Sequence, residues 1–173
     1  MRRVLTPILA ILFFLLAQGA GAEALMGRVV AVSDGDTLTV LDKDKQQHRV
    51  RLYGIDAPEK AQPYGQRSKE HLSRLTYAKN VRVEWNKRDR YGRIVGKVWV
   101  RPTDCSNCDL TLDAGLAQLS VGLAWWYRKY AGEQSAEDRA RYEFEENEAR
   151  ARRVGLWRDQ EPVAPWGWRR ASK

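Results

Sequence analysis

Cysteine and histidine are scarce. The 173 residues hold two of each, at Cys105, Cys108, His48 and His71. A structural zinc centre needs a full tetrahedral set of nitrogen or sulfur ligands, and neither histidine stands at metal spacing from the cysteine pair, so such a centre is set aside. In an oxidising compartment the pair is expected to form a small loop disulfide, Cys105–Cys108. A redox-active C-x-x-C is the sharper alternative, but no thioredoxin-like βαβ pattern surrounds it. Long apolar runs are also lacking. Val4 to Leu16 is apolar, but it is shorter than the about 20 residues that span a bilayer, and Pro7 interrupts it. There is no internal repeat and no sign of a second domain.

What the chain does have is positive charge. Thirty Lys and Arg against 22 Asp and Glu give a net charge of +8. Such a protein attracts polyanions, whether nucleic acid, anionic lipid or acidic glycan. The beginning reads as a signal peptide: Arg2 and Arg3, the apolar run, then Ala20-Gly21-Ala22 as a small-residue cleavage site. Residues 1–22 are therefore expected to be removed, with an uncleaved anchor as the alternative. No cysteine lies near that site to carry a lipoprotein anchor. Loss of Arg2 and Arg3 takes the charge from +8 to +6, so the mature protein stays basic. The expectation is a periplasmic or secreted monomer without stable membrane association.

The stretch from Ser33 to Glu59 organises the rest. It opens Ser33-Asp34-Gly35-Asp36-Thr37 and closes Arg51-Leu52-Tyr53-Gly54-Ile55-Asp56-Ala57-Pro58-Glu59. Leu38 and Val40 alternate with Thr37 and Thr39; Val50 and Leu52 alternate with Arg49 and Arg51. Period two suits half-buried strands, and Asp42-Lys43-Asp44-Lys45 suits the turn between them. The resulting hairpin brings Asp36 beside Asp56 and Glu59, with Arg51 close by. Read alone, Asp34-Gly35-Asp36 is also an ordinary turn. A cluster of acids in a basic protein calls for a balancing cation or arginine, and hard cations bind carboxylates, carbonyls and water.

Around this hairpin, Met26 to Val32 reads as a first strand. A helix is expected over about Gly65 to Ala78, with Leu72, Leu75 and Ala78 as its buried stripe. Val81, Val83 and Trp85 mark a fourth strand, and Ile94 to Val100 a fifth. Leu112 to Val121 reads as a short helix. Ser135-Ala136-Glu137-Asp138 resembles a capping box opening a last helix, with Ala136, Ala140 and Phe144 as its packed face and Gly155 as its stop. Five strands with a helix between the third and fourth suit an OB-type Greek-key barrel, an α+β fold with about three helices.

The chemistry fits phosphodiester hydrolysis. A cation at Asp36 and Asp56 would act as Lewis acid, Glu59 would take a proton from water, and Arg51 and Arg93 would stabilise transition-state charge. These residues resemble the staphylococcal nuclease, or thermonuclease, family. The matching elements are Asp34-Gly35-Asp36-Thr37, Arg51 through Glu59, Tyr64-Gly65, Asp89-Arg90-Tyr91-Gly92-Arg93, Gly115-Leu116-Ala117 and Gly155-Leu156-Trp157. The resemblance covers about residues 25 to 158, leaving 159–173 as a Trp-, Pro- and Arg-containing tail. It implies a Ca²⁺-dependent endonuclease of low sequence specificity on DNA and RNA, leaving 3′-phosphate ends. Carried over by position, Asp36, Asp56 and the Ala57 carbonyl hold Ca²⁺; Arg51, Glu59 and Arg93 are catalytic; Arg90, Tyr91, Trp125 and Tyr127 contact nucleotide. Trp125 and Trp126 are adjacent, so at most one is expected to meet substrate, while Trp166 and Trp168 are expected to dock the tail. The alternative is a catalytically inactive OB module that binds nucleic acid or protein.

Overall fold

Side chains that alternate between core and solvent build the barrel. The structure, a computed structural model, describes residues 23–171 apart from Ser106; the signal-like segment 1–22 lies outside the described residues. The strands and helices are β1 (Glu23–Val32), β2 (Thr37–Leu41), β3 (Gln47–Leu52), β4 (Ile55–Asp56), α1 (Gly65–Thr76), β5 (Asn80–Arg88), β6 (Ile94–Val100), β7 (Leu112–Asp113), α2 (Ala114–Ser120), β8 (Trp125–Trp126), α3 (Ala136–Ala151) and α4 (Pro165–Ala171). In β6 every second residue is buried from Ile94 to Val100. Val29, Leu38, Val40, Val50, Leu52, Val81 and Val83 fill the interior from the other strands. The sheet runs β3-β2-β1-β5-β6, and β3 pairs with β6 in parallel, which closes a five-stranded barrel. With α1 between the third and fourth barrel strands, this is the expected OB-type α+β architecture.

The helices depart from expectation in instructive places. Leu72 and Leu75 of α1 are buried as expected, joined by Ser68 and Thr76. Ala78 instead lies beyond the helix with φ 61°, because its N–H donates to the Val29 carbonyl as the chain turns into β5. His71 donates from Nδ1 to Gln118 Oε1 at 2.5 Å and serves the packing of α1 on α2. Leu112 does not begin a helix. It pairs with Val100 in β7, and Asp113 then caps α2 by accepting from the Gly115 and Leu116 N–H groups.

Ser135 accepts from the Asp138 N–H and caps α3, as its sequence suggests. The packed face is a different one. Phe144 is 61% exposed and Ala136 and Ala140 point outward, whereas Tyr142, Glu146 and Ala149 are buried. Two of these inward residues carry polar tips, each satisfied: the Tyr142 hydroxyl donates to Asp113 Oδ2, and the Glu146 carboxylate accepts from Trp126 N–H and Arg128. Apolar spacing alone selects the wrong stripe. Nor does Gly155 end the helix. Arg153 takes the left-handed turn after Ala151, at φ 48°. Gly155 is needed because a Cβ there would stand 2.1 Å from the Gly122 carbonyl.

The tail, expected only as docking aromatics, contains α4. Cys105 and Cys108 are bridged in the loop after β6, with Cα atoms 5.5 Å apart. Among the described residues no helix is long and apolar enough to cross a membrane.

Asp113 joins α2 to α3 through one side chain. Asp113→Ala removes the cap and leaves the Tyr142 hydroxyl buried without its acceptor. The expected loss is about 2–4 kcal/mol, combining cap and hydroxyl costs. Urea unfolding measures it; a loss below about 1 kcal/mol would show that α2 and α3 do not depend on this link.

Candidate active site

The register of β2 on β3 sets Thr37 opposite Arg51, which puts Asp36 at the mouth of the hairpin beside that arginine. Two residues after β3, the chain turns through Gly54 at φ 73° into β4, where Asp56 pairs with Trp125 of β8. The buried Glu146 carboxylate accepts the Trp126 N–H at 3.0 Å, so α3 holds β8, and β8 holds Asp56. Asp36 is 3% exposed and Asp56 0%. Arg51 bridges them, donating from Nη1 to Asp36 Oδ1 at 3.0 Å and from Nη2 to Asp56 Oδ1 at 2.6 Å. Asp36 also accepts from Thr37 Oγ1 and, at 3.0 Å, from the Ala57 N–H.

Gly35 is more than a turn residue. A Cβ there would meet Ser68 Oγ at 1.9 Å and the Ala57 side chain at 2.7 Å. Its carbonyl accepts from Gln118 Nε2 at 2.7 Å. The two acidic segments are thus pressed together across the glycine.

Burial raises the pKa of Asp34 to about 6, with the Asp36 charge adding to the effect. Burial also pushes Asp56 upward; the Arg169 hydrogen bond opposes it, the Asp36 charge reinforces it, and the net direction is up. For Arg51, burial works against the cation, but the charges of Asp36 and Asp56 outweigh it and its pKa is raised. The carboxylates and arginine therefore hold one another in place.

Asp34, Asp36, Arg51 and Ala57 open onto a cleft of about 640 Å³ that is also lined by Glu59, Arg90, Tyr91, Arg93 and Tyr127. Arg93 reaches it from the turn between β5 and β6. Asp89 accepts from the Tyr91 and Arg93 N–H groups and pairs with the Arg93 guanidinium at 2.7 Å. Arg93 Nη1 lies 3.4 Å from Thr37 Oγ1, beside Asp36. Tyr91 is 64% exposed, with the Arg90 guanidinium over its ring at 4.9 Å. Tyr127 also faces the cleft. Trp125 does not: it is buried with Trp157, Leu156 and Ala149. Trp126 is buried in the barrel core. Neither adjacent tryptophan offers a face to the cleft, because Trp125 packs against Trp157 and Trp166, and Trp126 lies in the core with its indole N–H donated to Gln134.

The cleft residue that engages the acids most directly after Arg51 escaped the sequence reading. Arg169 of α4 donates from Nη2 to Asp56 Oδ2 at 2.6 Å and from Nη1 to Glu59 Oε1 at 2.6 Å. Pro165, a favoured first helical residue, followed by Trp166 and Arg169 one turn apart, was the available signal.

Among the described residues no group of three or more His, Cys, Asp and Glu side chains is gathered as a metal cage. The donor set is two buried carboxylates, Asp36 and Asp56, flanked by the Ala57 backbone. Oxygen donors whose negative charge Arg51 and Arg169 balance suit a hard cation such as Ca²⁺, with water and substrate oxygens completing its shell.

Residues 49–159 match the family model described as staphylococcal nuclease homologue. The chain is 42% identical over 163 residues to Protein ParB of Escherichia coli, covering 94% of this chain and 89% of that one. It is 38% identical over 172 residues to a protein of Haemophilus influenzae named as an uncharacterized endonuclease, covering 99% and 88%. It is 41% identical over 147 residues to the micrococcal nuclease of Shigella flexneri, covering 85% and 82%.

Removing one partner from a buried ion cluster leaves an uncompensated charge, a loss of about 3–5 kcal/mol. Arg51→Ala is expected at the lower end, about 3 kcal/mol, because Arg169 still pairs with Asp56. Urea unfolding in chelator measures it. Wild-type stability in Arg51→Ala would mean the acids do not need this bridge.

Proposed function

Because this chain belongs to the staphylococcal nuclease family and is a nuclease hydrolase, we propose that its cleft cuts DNA and RNA endonucleolytically, with low sequence specificity and Ca²⁺ dependence. The observation that carries this reading is the convergence of Asp36, Arg51, Glu59 and Arg93 on one cleft, with the buried Asp56 paired to Arg51 directly behind it.

Ca²⁺ held by Asp36, Asp56 and the Ala57 carbonyl would supply a Lewis acid to a phosphate oxygen and offset its charge. The protein's own groups do the rest. Glu59 accepts a proton from the attacking water, whose oxygen then bonds to phosphorus. Arg51 and Arg93 donate N–H bonds to the phosphate oxygens, where negative charge grows as the fifth oxygen adds. The phosphorus–O5′ bond breaks, and the departing oxygen takes a proton from solvent. The products are a 3′-phosphate and a 5′-hydroxyl. Arg90 and the exposed Tyr91 ring offer a charge and a stacking face to the nucleotide; stacking of this kind contributes about 1–3 kcal/mol per base. Tyr127 offers a second face. Phosphate contacts and stacking carry no sequence information, which accords with low sequence specificity and with acceptance of either sugar.

We further infer that residues 1–22 direct export and that the mature enzyme works as a monomer in the periplasm or outside the cell. The nuclease domain spans about residues 25 to 158, and the tail from 159 onward is an addition to it.

Glu59→Gln keeps the size of the side chain and removes its proton affinity. Cleavage of single-stranded DNA and RNA is expected to fall about 10²–10⁴-fold, with binding in chelator retained. Arg93→Ala is expected to lower kcat more than it raises KM, since its charge contact strengthens in the transition state. Excess chelator is expected to stop the unmodified enzyme. Full activity of Glu59→Gln, or cleavage unaffected by chelator, would contradict the mechanism.

A further inference from the structure

The carboxylates meant for a cation and a water already have a partner. Asp56 is doubly engaged: Oδ1 accepts from Arg51 at 2.6 Å and Oδ2 from Arg169 at 2.6 Å. Glu59 Oε1 accepts from the same Arg169 guanidinium at 2.6 Å. Three residues earlier on α4, the Trp166 ring lies flat on Tyr127, with centroids 5.4 Å apart and planes 7° from parallel. It also packs against Trp125 in a T-shaped pair, with centroids 5.6 Å apart. One short helix therefore presents a cation to the acids and an aromatic ring to a cleft-facing tyrosine. A metal ion and a stacked base would make those same two contacts.

We propose that α4 is an intrinsic competitor for the active site, which a divalent cation and nucleic acid must displace through Arg169 and Trp166 respectively. This rests on the nuclease reading of the cleft. The construction of the tail suits a reversible element. A seven-residue helix is too short to hold itself together in water, so its order depends on the docking contacts. Only Pro165 of α4 is buried, and the Arg169 side chain is 39% exposed, which weakens its ion pairs by solvent screening. The tail stays tethered when α4 leaves. Gln62 Nε2 donates to the Val163 carbonyl at 2.6 Å while Gln62 Oε1 accepts the Glu59 N–H at 3.1 Å. Tyr64 donates to Asp159 at 3.1 Å. One buried glutamine thus ties the loop that carries Glu59 to the root of α4, so detachment and return occur beside the residues that α4 covers.

Competition of this kind lowers apparent ligand affinity by the fraction of molecules in which the site is open. A divalent ion carries more charge than the guanidinium it replaces, so it gains on Arg169 as its concentration rises. A nucleic acid then meets a cleft from which Trp166 has withdrawn. The arrangement keeps the acids neutralised and the base engaged until both ligands arrive.

Calorimetric titration with Ca²⁺, without nucleic acid, tests the claim on the full chain. Arg169→Ala is expected to bind Ca²⁺ about ten-fold more tightly than the unmodified protein. Arg170→Ala removes the same charge from the next residue, which touches no acid of the site, and is expected to leave the dissociation constant unchanged. In the unmodified protein, hydrogen exchange of the α4 amides is expected to accelerate when Ca²⁺ saturates. Equal or weaker Ca²⁺ binding by Arg169→Ala, an equal gain from Arg170→Ala, or unchanged α4 protection at saturating Ca²⁺ would overturn the proposal. Cleavage assays separate it from the nuclease reading. A protein that binds Ca²⁺ with these differences but never cuts refutes the nuclease mechanism and leaves the competitor standing. One that cuts normally, with Arg169→Ala unaltered in Ca²⁺ affinity, refutes the competitor alone.

Discussion

Two carboxylates cannot remain buried and ionised side by side unless cations stand with them. Asp36 and Asp56 are both nearly inaccessible to solvent, and much of the architecture serves that pair. The β2–β3 register delivers Arg51 between them. The β4–β8 ladder fixes Asp56, and Glu146 of α3, itself fully buried, fixes β8. Gly35 allows the two acidic segments to touch. Gln118 of α2 and Ser68 of α1 close the back of the loop. The barrel is thus a frame that holds negative charge where water alone would not keep it.

From that constraint the chemistry of the cleft follows. Low exposure strengthens every charge interaction at the mouth of the hairpin, so the arginines there act as structural cations and, in the mechanism proposed, would serve as phosphate ligands in turn. Arg51 is committed to Asp36 and Asp56, and Arg93 is steadied by Asp89. Both guanidiniums are therefore pre-oriented before a phosphate enters, which is where electrostatic catalysis draws its advantage. Arg169 belongs to the same economy of charge but comes from outside the barrel, on a helix that owes its order to the site it covers.

The strands and the acidic mouth were legible because their signals are local. Alternation in Leu38–Val40 and Val50–Leu52 names the buried face of each strand, and hairpin pairing then forces Asp36 toward Arg51 and Asp56. The α3 face was not legible, since Tyr142 and Glu146 are buried through hydrogen bonds that only the folded partners Asp113 and Trp126 provide. Trp125 was expected at the nucleotide because its position matches one that contacts nucleotide in the family; its place in the core with Trp157 is decided by α3 and the turn at residues 155–158. The role of Arg169 was hidden for a similar reason. It lies 110 residues from Glu59 in sequence, and no local pattern encodes that meeting.

The central claim is that Asp36, Asp56 and Ala57 form the cation site around which the cleft works. Backbone-resolved NMR during a Ca²⁺ titration tests it most directly. The account predicts saturable shifts concentrated at the amides of Asp36, Asp56 and Ala57, the last because its N–H donates to Asp36 Oδ2. Saturable Ca²⁺ binding that leaves those amides unmoved and shifts another surface would contradict it.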